Sequence, residues 1–239
     1  MENLGIEGTV SVITGGSEGI GYGIAEALYS RGSKIYLIAR NREKLEKARE
    51  KLQSGDSRVE IYQGDITNFS RIKEIIDEVH KKEKKIDIFV NNAGAYEPHS
   101  VRSSFAKIKD IWNLLFVSPS EITHYLVQKF RDSPNRLKIL NVLSQASKKF
   151  MDEGLGYGTG KMAFDSYLEH MELELSRNKI NNIKIYRLYP ATVGTEKGLE
   201  LVRRGVLQNP IPLEDVVRSA INLLEDKIKG NKVYVGFTP

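Results

Sequence analysis

Apolar positions along this chain change their period repeatedly. Short, mostly apolar runs at 10–13, 35–38, 88–90, 139–143 and 183–188 alternate with longer segments in which apolar residues recur every three or four places. The short runs predict buried strands and the longer ones amphipathic helices. Strands are expected at Thr9–Ile13, Lys34–Ala39, Arg58–Tyr62, Ile86–Val90, Leu137–Leu143, Ile183–Leu188 and Lys232–Val235. Between them the pattern predicts a helix ending near Ser30, then Asn41–Gln53, Phe69–Lys85, Phe105–Arg131, Tyr157–Arg177, a short one ending near Leu207, and Leu213–Glu225. Ile72, Ile75, Ile76 and Val79 form one apolar stripe on the third of these. Strands that alternate with helices and read as continuous apolar runs indicate an α/β fold, a doubly wound parallel sheet covered on both faces. At 239 residues the chain is expected to form a single domain, 1–239.

Composition narrows the function classes. Lys and Arg number 36 against 31 Asp and Glu, a net of +5 spread over the chain, with no arginine-rich block. Nucleic-acid binding is therefore not expected. Cysteine is absent, which excludes disulfides and thiol chemistry, and the four histidines, His80, His99, His124 and His170, form no ligand spacing. No metal site is expected. MENLGIEGTVSVIT lacks the charged and apolar regions of a leader, and no apolar run reaches the length of a membrane span. The expected setting is cytoplasmic.

The turn after the first strand, Thr14-Gly15-Gly16-Ser17-Glu18-Gly19-Ile20-Gly21, places glycines at 15, 19 and 21 just before a helix. Glycine permits a tight turn and lets backbone N–H groups approach a pyrophosphate at the helix N-terminus, a Rossmann-like dinucleotide site. A reader of the ribose 2′-hydroxyl would put a carboxylate at the end of the second strand; Ala39-Arg40 stands there instead. An arginine fork suits a 2′-phosphate, so NADP is expected rather than NAD, although Glu18 sets a negative charge nearby.

A second constellation lies in ILNVLSQASKKFMDEGLGYGTGKMAF, residues 139–164. Ser144 ends a strand, and Tyr157 and Lys161 fall one turn apart on one face of the following helix. Hydroxyl, phenol and ammonium can converge at the carboxyl end of the sheet. Ionising a phenol of ordinary pKa near pH 7 costs about 4 kcal/mol, and a neighbouring ammonium lowers that cost. Such a trio can move a proton to or from an alcohol or carbonyl oxygen, with the serine orienting that oxygen.

With the glycine turn, Asp65-Ile66, Asn91-Asn92-Ala93-Gly94, Ser144, Tyr157-x-x-x-Lys161 and the proline after the sixth strand in that order, the chain resembles the short-chain dehydrogenase/reductase family end to end. The resemblance implies an NADP(H)-dependent oxidoreductase with catalytic Ser144, Tyr157 and Lys161. It also implies a cofactor site of Gly15, Ser17, Glu18, Gly19, Ile20, Gly21, Arg40, Asp65, Ile66, Asn92, Ala93, Gly94, Tyr157, Lys161, Pro190, Val193 and Thr195. Asp65 would bind the adenine amino group, Lys161 the nicotinamide ribose and Thr195 the carboxamide side. Expected partners are a small carbonyl or alcohol substrate, with a 3-oxoacyl thioester, a sugar and a hydrophobic ketone all left open, and a second copy in a homodimer or homotetramer. Leu126, Phe130, Phe164 and Leu168 are apolar beyond a narrow stripe, compatible with such an interface.

Three departures qualify the likeness. Leu115 stands where the family commonly has an asparagine that relays protons to the lysine, with Asn113 two residues earlier. Pro190-Ala191 replaces Pro-Gly, and KVYVGFTP closes the chain without Gly-Gly after the last strand. An alternative function is thus a dinucleotide-binding protein with little turnover. Residues 192–212 are expected to form a substrate lid. Lys148 and Lys149 are candidates to meet an acidic substrate, as are Arg177 and Lys179 to meet a carrier.

Overall fold

A computed structural model describes residues 5–53 and 58–239; the first four residues of the stretch inspected for a leader lie outside it. Among the described residues, β1 (Val10–Thr14), β2 (Lys34–Ala39), β3 (Val59–Gln63), β4 (Ile88–Asn91), β5 (Leu137–Val142), β6 (Ile183–Pro190) and β7 (Lys232–Val235) make one parallel sheet. Its order is β3-β2-β1-β4-β5-β6-β7. The helices are α1 (Gly19–Tyr29), α2 (Arg42–Leu52), α3 (Phe69–Glu83), α4 (Phe105–Trp112), α5 (Ser118–Phe130), α6 (Tyr157–Arg177), α7 (Glu196–Arg203) and α8 (Leu213–Leu224).

Alternation along each strand sends neighbouring side chains to opposite faces. Val12, Tyr36, Phe89, Ile139 and Ile185 pack with Ile72, Ile75, Ile76 and Val79 of α3 and with residues of α5 and α6. Ile13, Leu37, Val90, Leu140 and Leu188 pack with residues of α1, α2 and α8. Two buried faces explain why the strands read as unbroken apolar runs. The strand order reverses between β1 and β4, and the carboxyl ends of strands flanking such a reversal are where open α/β sheets bind ligands. The register brings Thr14 level with Ile38, Asn91 level with Asn141, and Val142 level with Leu188.

The helix expected at Phe105–Arg131 is not continuous. A π-helical turn, Asn113–Val117, separates α4 from α5, and the Ser118 N–H reaches back to the Asn113 carbonyl. Pro119 supplies the cause, because proline has no N–H to give the preceding turn and its ring crowds the carbonyl there. A π-turn accommodates the misfit with one extra residue. Leu126, Phe130, Phe164 and Leu168 are buried in the chain's own core, so they provide no free face for a second copy.

Candidate active site

The glycine turn is shaped by close approach. Gly15 (φ 64°) and Gly19 (φ 60°) occupy left-handed conformations that side chains disfavour. A Cβ on Gly21 would land on the Gly15 carbonyl and the Asn92 amide, and one on Gly15 would sit 2.8 Å from Asn92 Nδ2 and 2.9 Å from the Ala93 Cα. The turn and the Asn92-Ala93-Gly94 segment therefore lock together. Thr14 Oγ1 accepts from the N–H of Asn92 at 3.0 Å and of Ala93 at 3.2 Å, while Asn92 Nδ2 donates to the carbonyls of Thr14 and Gly15 at 3.1 Å. Asn91 points instead into the sheet, donating to Thr123 and to Asn141 across the β4–β5 register.

Some helices are capped by a side chain and others, α1, α4, α5, α6 and α8, are not. Asn41, Asn68 and Thr195 cap α2, α3 and α7 with their side chains. At α1 the capping position holds Glu18, whose carboxylate makes no capping bond and pairs with Lys44 Nζ at 2.7 Å. The first N–H groups of α1 thus lack a side-chain acceptor beside a glycine turn, the chemistry an anion needs. A pyrophosphate fits there. Gly19 faces Thr195, whose methyl lies 3.4 Å from the position of a Cβ, so Thr195 borders the same turn. Ile66 is buried, and Asp65 holds the N–H and hydroxyl of Thr67 at 2.9 and 2.8 Å. Arg40 extends into solvent with one nitrogen 3.9 Å from an Asp65 oxygen.

On the other side of the reversal, Ser144 follows β5, Tyr157 opens α6 and Lys161 lies one turn on. The Ser144 oxygen accepts from the Ala146 N–H at 3.2 Å, and the proximity of its hydroxyl to the Tyr157 phenol favours the phenolate. Burial opposes this more strongly, with a further rise from Tyr96, so the phenol stands above its ordinary pKa. The expected lowering by Lys161 is not found in this geometry. Lys161 is buried and donates to the Val142 carbonyl at 2.8 Å; burial pulls its ammonium down to about 8. Removed from water, the amine holds its proton less firmly and its field is directed at the strand end.

Leu115, 1% exposed, lies at the expected relay position, while Asn113 is exposed. Leu115 lines a cavity of about 10 Å³ with Thr14, Ile66, Asn91, Ala93, Pro119, Val142, Lys161 and Phe164. Its methyl reaches to 3.0 Å from the position of a Cβ on Gly94. A hydrocarbon thus faces the lysine where the resemblance calls for a polar group.

Two residues outside the expected site border Tyr157 or the loop before it. Tyr96 meets Tyr157 edge to face, with ring centres 5.1 Å apart. His99, 3% exposed, bonds the Glu97 carbonyl through Nδ1, and its backbone pairs with Glu153 and Leu155 in the loop before Tyr157. No local spacing announces either contact, because both depend on two distant loops meeting. Other expectations need correction. Lys148 is paired with Asp165 at 2.7 Å, Lys149 lies over the Phe237 ring at 5.4 Å, and Arg177 pairs with Glu174 at 3.7 Å. Lys148 is thereby engaged within the fold, whereas Lys149 and Arg177 remain exposed. In the 192–212 segment, Val193 and Ile211 bridge, so its two ends are tied beside Thr195. Leu199 is 41% exposed, and α7 between those ends buries no residue.

Among the described residues no group of three or more His, Asp or Glu is placed to hold a metal, and no helix is long and apolar enough to cross a membrane.

Comparison with known proteins bears on the family and the fold. The family model for short chain dehydrogenase matches residues 9–203. An 11-beta-hydroxysteroid dehydrogenase-like protein 3 of Arabidopsis thaliana is 31% identical over 191 residues, 78% of this chain and 60% of that protein. A 2,3-dihydro-2,3-dihydroxybenzoate dehydrogenase of Bacillus subtilis (strain 168) is 27% identical over 235 residues, covering 91% and 87%. The solved structure of a 7 alpha-hydroxysteroid dehydrogenase with NADH and 7-oxo glycochenodeoxycholic acid superposes with a TM-score of 0.86 at 21% identity, covering 98% and 94%. The chain spans about three fifths of the length of two relatives from Arabidopsis thaliana. The match of the family model over most of the chain, together with the parallel seven-stranded sheet, makes this protein a member of the short-chain dehydrogenase family.

Proposed function

We propose that the protein is an NADP(H)-dependent oxidoreductase that interconverts a carbonyl and an alcohol by hydride transfer, with Tyr157 as general acid and base. The reading is supported by the placement of Ser144 directly after β5, with Tyr157 and Lys161 one turn apart at the start of α6 and the Lys161 ammonium held at the carboxyl end of β5 by the Val142 carbonyl. Gly15, Ser17, Glu18, Gly19, Ile20 and Gly21 would hold the dinucleotide phosphates, Asp65 and Ile66 the adenine side, and Asn92, Ala93, Gly94, Pro190, Val193 and Thr195 the remainder. When bound, the nicotinamide supplies or accepts the hydride.

The chain's own residues handle the proton. In the reductive direction the raised phenol pKa keeps Tyr157 protonated, as a general acid must be. Ser144 stabilises the ionised phenol left behind and orients the reacting oxygen. Lys161 would hold the ribose. Arg40 supports a preference for the 2′-phosphate. The neighbouring hydroxysteroid dehydrogenase carries NADH, so the two cofactors must be compared directly. Residues 192–212 would close over the substrate, and a second copy would complete a homo-oligomer.

A panel of carbonyl compounds and alcohols, assayed with NADPH/NADP and NADH/NAD by absorbance of the reduced nicotinamide, tests the reading. Turnover is expected with NADPH in preference to NADH. Tyr157→Phe is expected to fold normally and lose at least about a hundredfold in kcat. An unchanged rate removes Tyr157 from its role.

Leu115 favours a second reading, a dinucleotide-binding protein with little turnover. A hydrocarbon faces Lys161 in a cavity with room for one water at most. Leu115→Asn is expected to raise kcat if proton supply limits the rate; a flat response in an active enzyme shows that another path suffices.

A further inference from the structure

Under the loop that follows Ser144 lies a cluster of charges that the proposed reaction leaves unused. Arg187 on β6 is 1% exposed. Its guanidinium pairs with Asp165 at 3.3 Å, with Glu169 at 3.0 Å and with Glu172, three carboxylates that all belong to α6. Asp165, 3% exposed, also accepts from the Tyr189 hydroxyl at 2.7 Å. Its second oxygen takes Lys148 Nζ at 2.7 Å. Lys148 closes the 3₁₀ turn Gln145–Ser147 that begins immediately after Ser144, and it lies over the Tyr189 ring at 5.3 Å. Lys232 of β7 reaches Glu169 at 2.8 Å.

Stability is a poor explanation for such a cluster. Withdrawing ions from water costs several kcal/mol each, and apolar replacements of buried ion pairs are often neutral or stabilising. What the cluster does provide is a fixed geometry. Asp165 is the point where three parts of the candidate site meet. One is α6, which carries Tyr157 and Lys161; another is β6, which leads to Pro190; the third is the loop that carries Ser144.

We propose that Asp165 is a positioning residue: backed by Arg187, it anchors Lys148 and thereby sets the Ser144 hydroxyl against the Tyr157 phenol. The proposal rests on the roles given above to Ser144 and Tyr157. Lys148 is four residues from Ser144, so freedom at one end of this short turn passes to the other. Misplacement of a reacting group by about 1 Å can cost on the order of a hundredfold in rate.

A double-mutant cycle decides the matter. Lys148→Met and Asp165→Asn are each made in the wild-type and Ser144→Ala backgrounds, with folding followed by circular dichroism and thermal melting. In the wild-type background kcat is expected to fall about tenfold or more while the cofactor KM holds. In the Ser144→Ala background the same changes should cost less than about twofold, because the group they position is gone. Lys148→Arg, which keeps the cation, is expected to retain the rate. Equal losses in both backgrounds, or a lowered melting temperature with unchanged kcat, overturn the proposal. Lys148 is partly exposed, so its substitution still discriminates even where Asp165→Asn does not fold. Tyr157→Phe separately tests the reading beneath it: full activity there removes the site, whereas additive losses in the cycle remove only the role of Asp165.

Discussion

Lys161 shows what burial does to one side chain. Its ammonium is held by the Val142 carbonyl and pulled down to about 8, from an ordinary value of 10.5. Between those limits the unfolded chain binds a proton that the folded chain does not, so stability rises with pH across that window. The penalty is full below about pH 8 and fades towards 10.5. Lys161→Met is therefore expected to stabilise the fold near neutral pH, by up to about 3 kcal/mol, with the gain shrinking as pH rises. Thermal melts at pH 7 and pH 10 check this; a gain independent of pH refutes it. The same variant should lose cofactor affinity. Tyr157 and Lys161 are legible as a pair from their spacing alone. Their electrostatics are not, since burial, Tyr96 and the Val142 carbonyl come from other parts of the chain.

Elements follow the sequence pattern closely where one period dominates. β2 and β7 fall at their expected limits, as does α6, and the other strands shift by a residue or two. The Phe105–Arg131 segment departs from expectation because apolar periodicity continues through Asn113–Val117 while the hydrogen-bond ladder does not. Pro119 is the signal in the sequence that marks the break. The glycine turn is an element whose sequence and packing agree. A Cβ at position 21 meets backbone on one side and Asn92 on the other. Gly21→Ala is expected to cost about 2 kcal/mol or more, as overpacking does, and to weaken dinucleotide binding. Urea unfolding and cofactor titration measure the two effects; wild-type values in both show that the turn can relax.

Across the whole molecule, ion clusters tie the sheet to its covering helices. Besides the Arg187 cluster, Asp226 after α8 gathers Lys138 of β5 with Lys184 and Tyr186 of β6. Burial raises the Asp226 carboxyl, but bonds from Lys184, Tyr186 and Lys138 outweigh it and hold the group at about 2, below its ordinary 3.8. A depressed carboxylate stabilises above its unfolded pKa and loses that contribution as pH falls through the folded value. Acid titration is expected to show stability falling between about pH 4 and pH 2, with a smaller fall in Asp226→Asn. An identical acid profile in that variant would falsify the assignment.

The sequence by itself determined the class of fold, the glycine turn, the one-turn spacing of Tyr157 and Lys161 on α6 and the family, because each depends on local periodicity or fixed spacing. Only the tertiary structure decided which charged groups are free. Lys148 looks available in the chain and is engaged in the fold, since its partner Asp165 is distant in sequence. It also turned Leu126, Phe130, Phe164 and Leu168 inward and brought Tyr96 against Tyr157. Helical and strand periods fix which way a residue faces on its own element; what it meets there depends on how the elements pack.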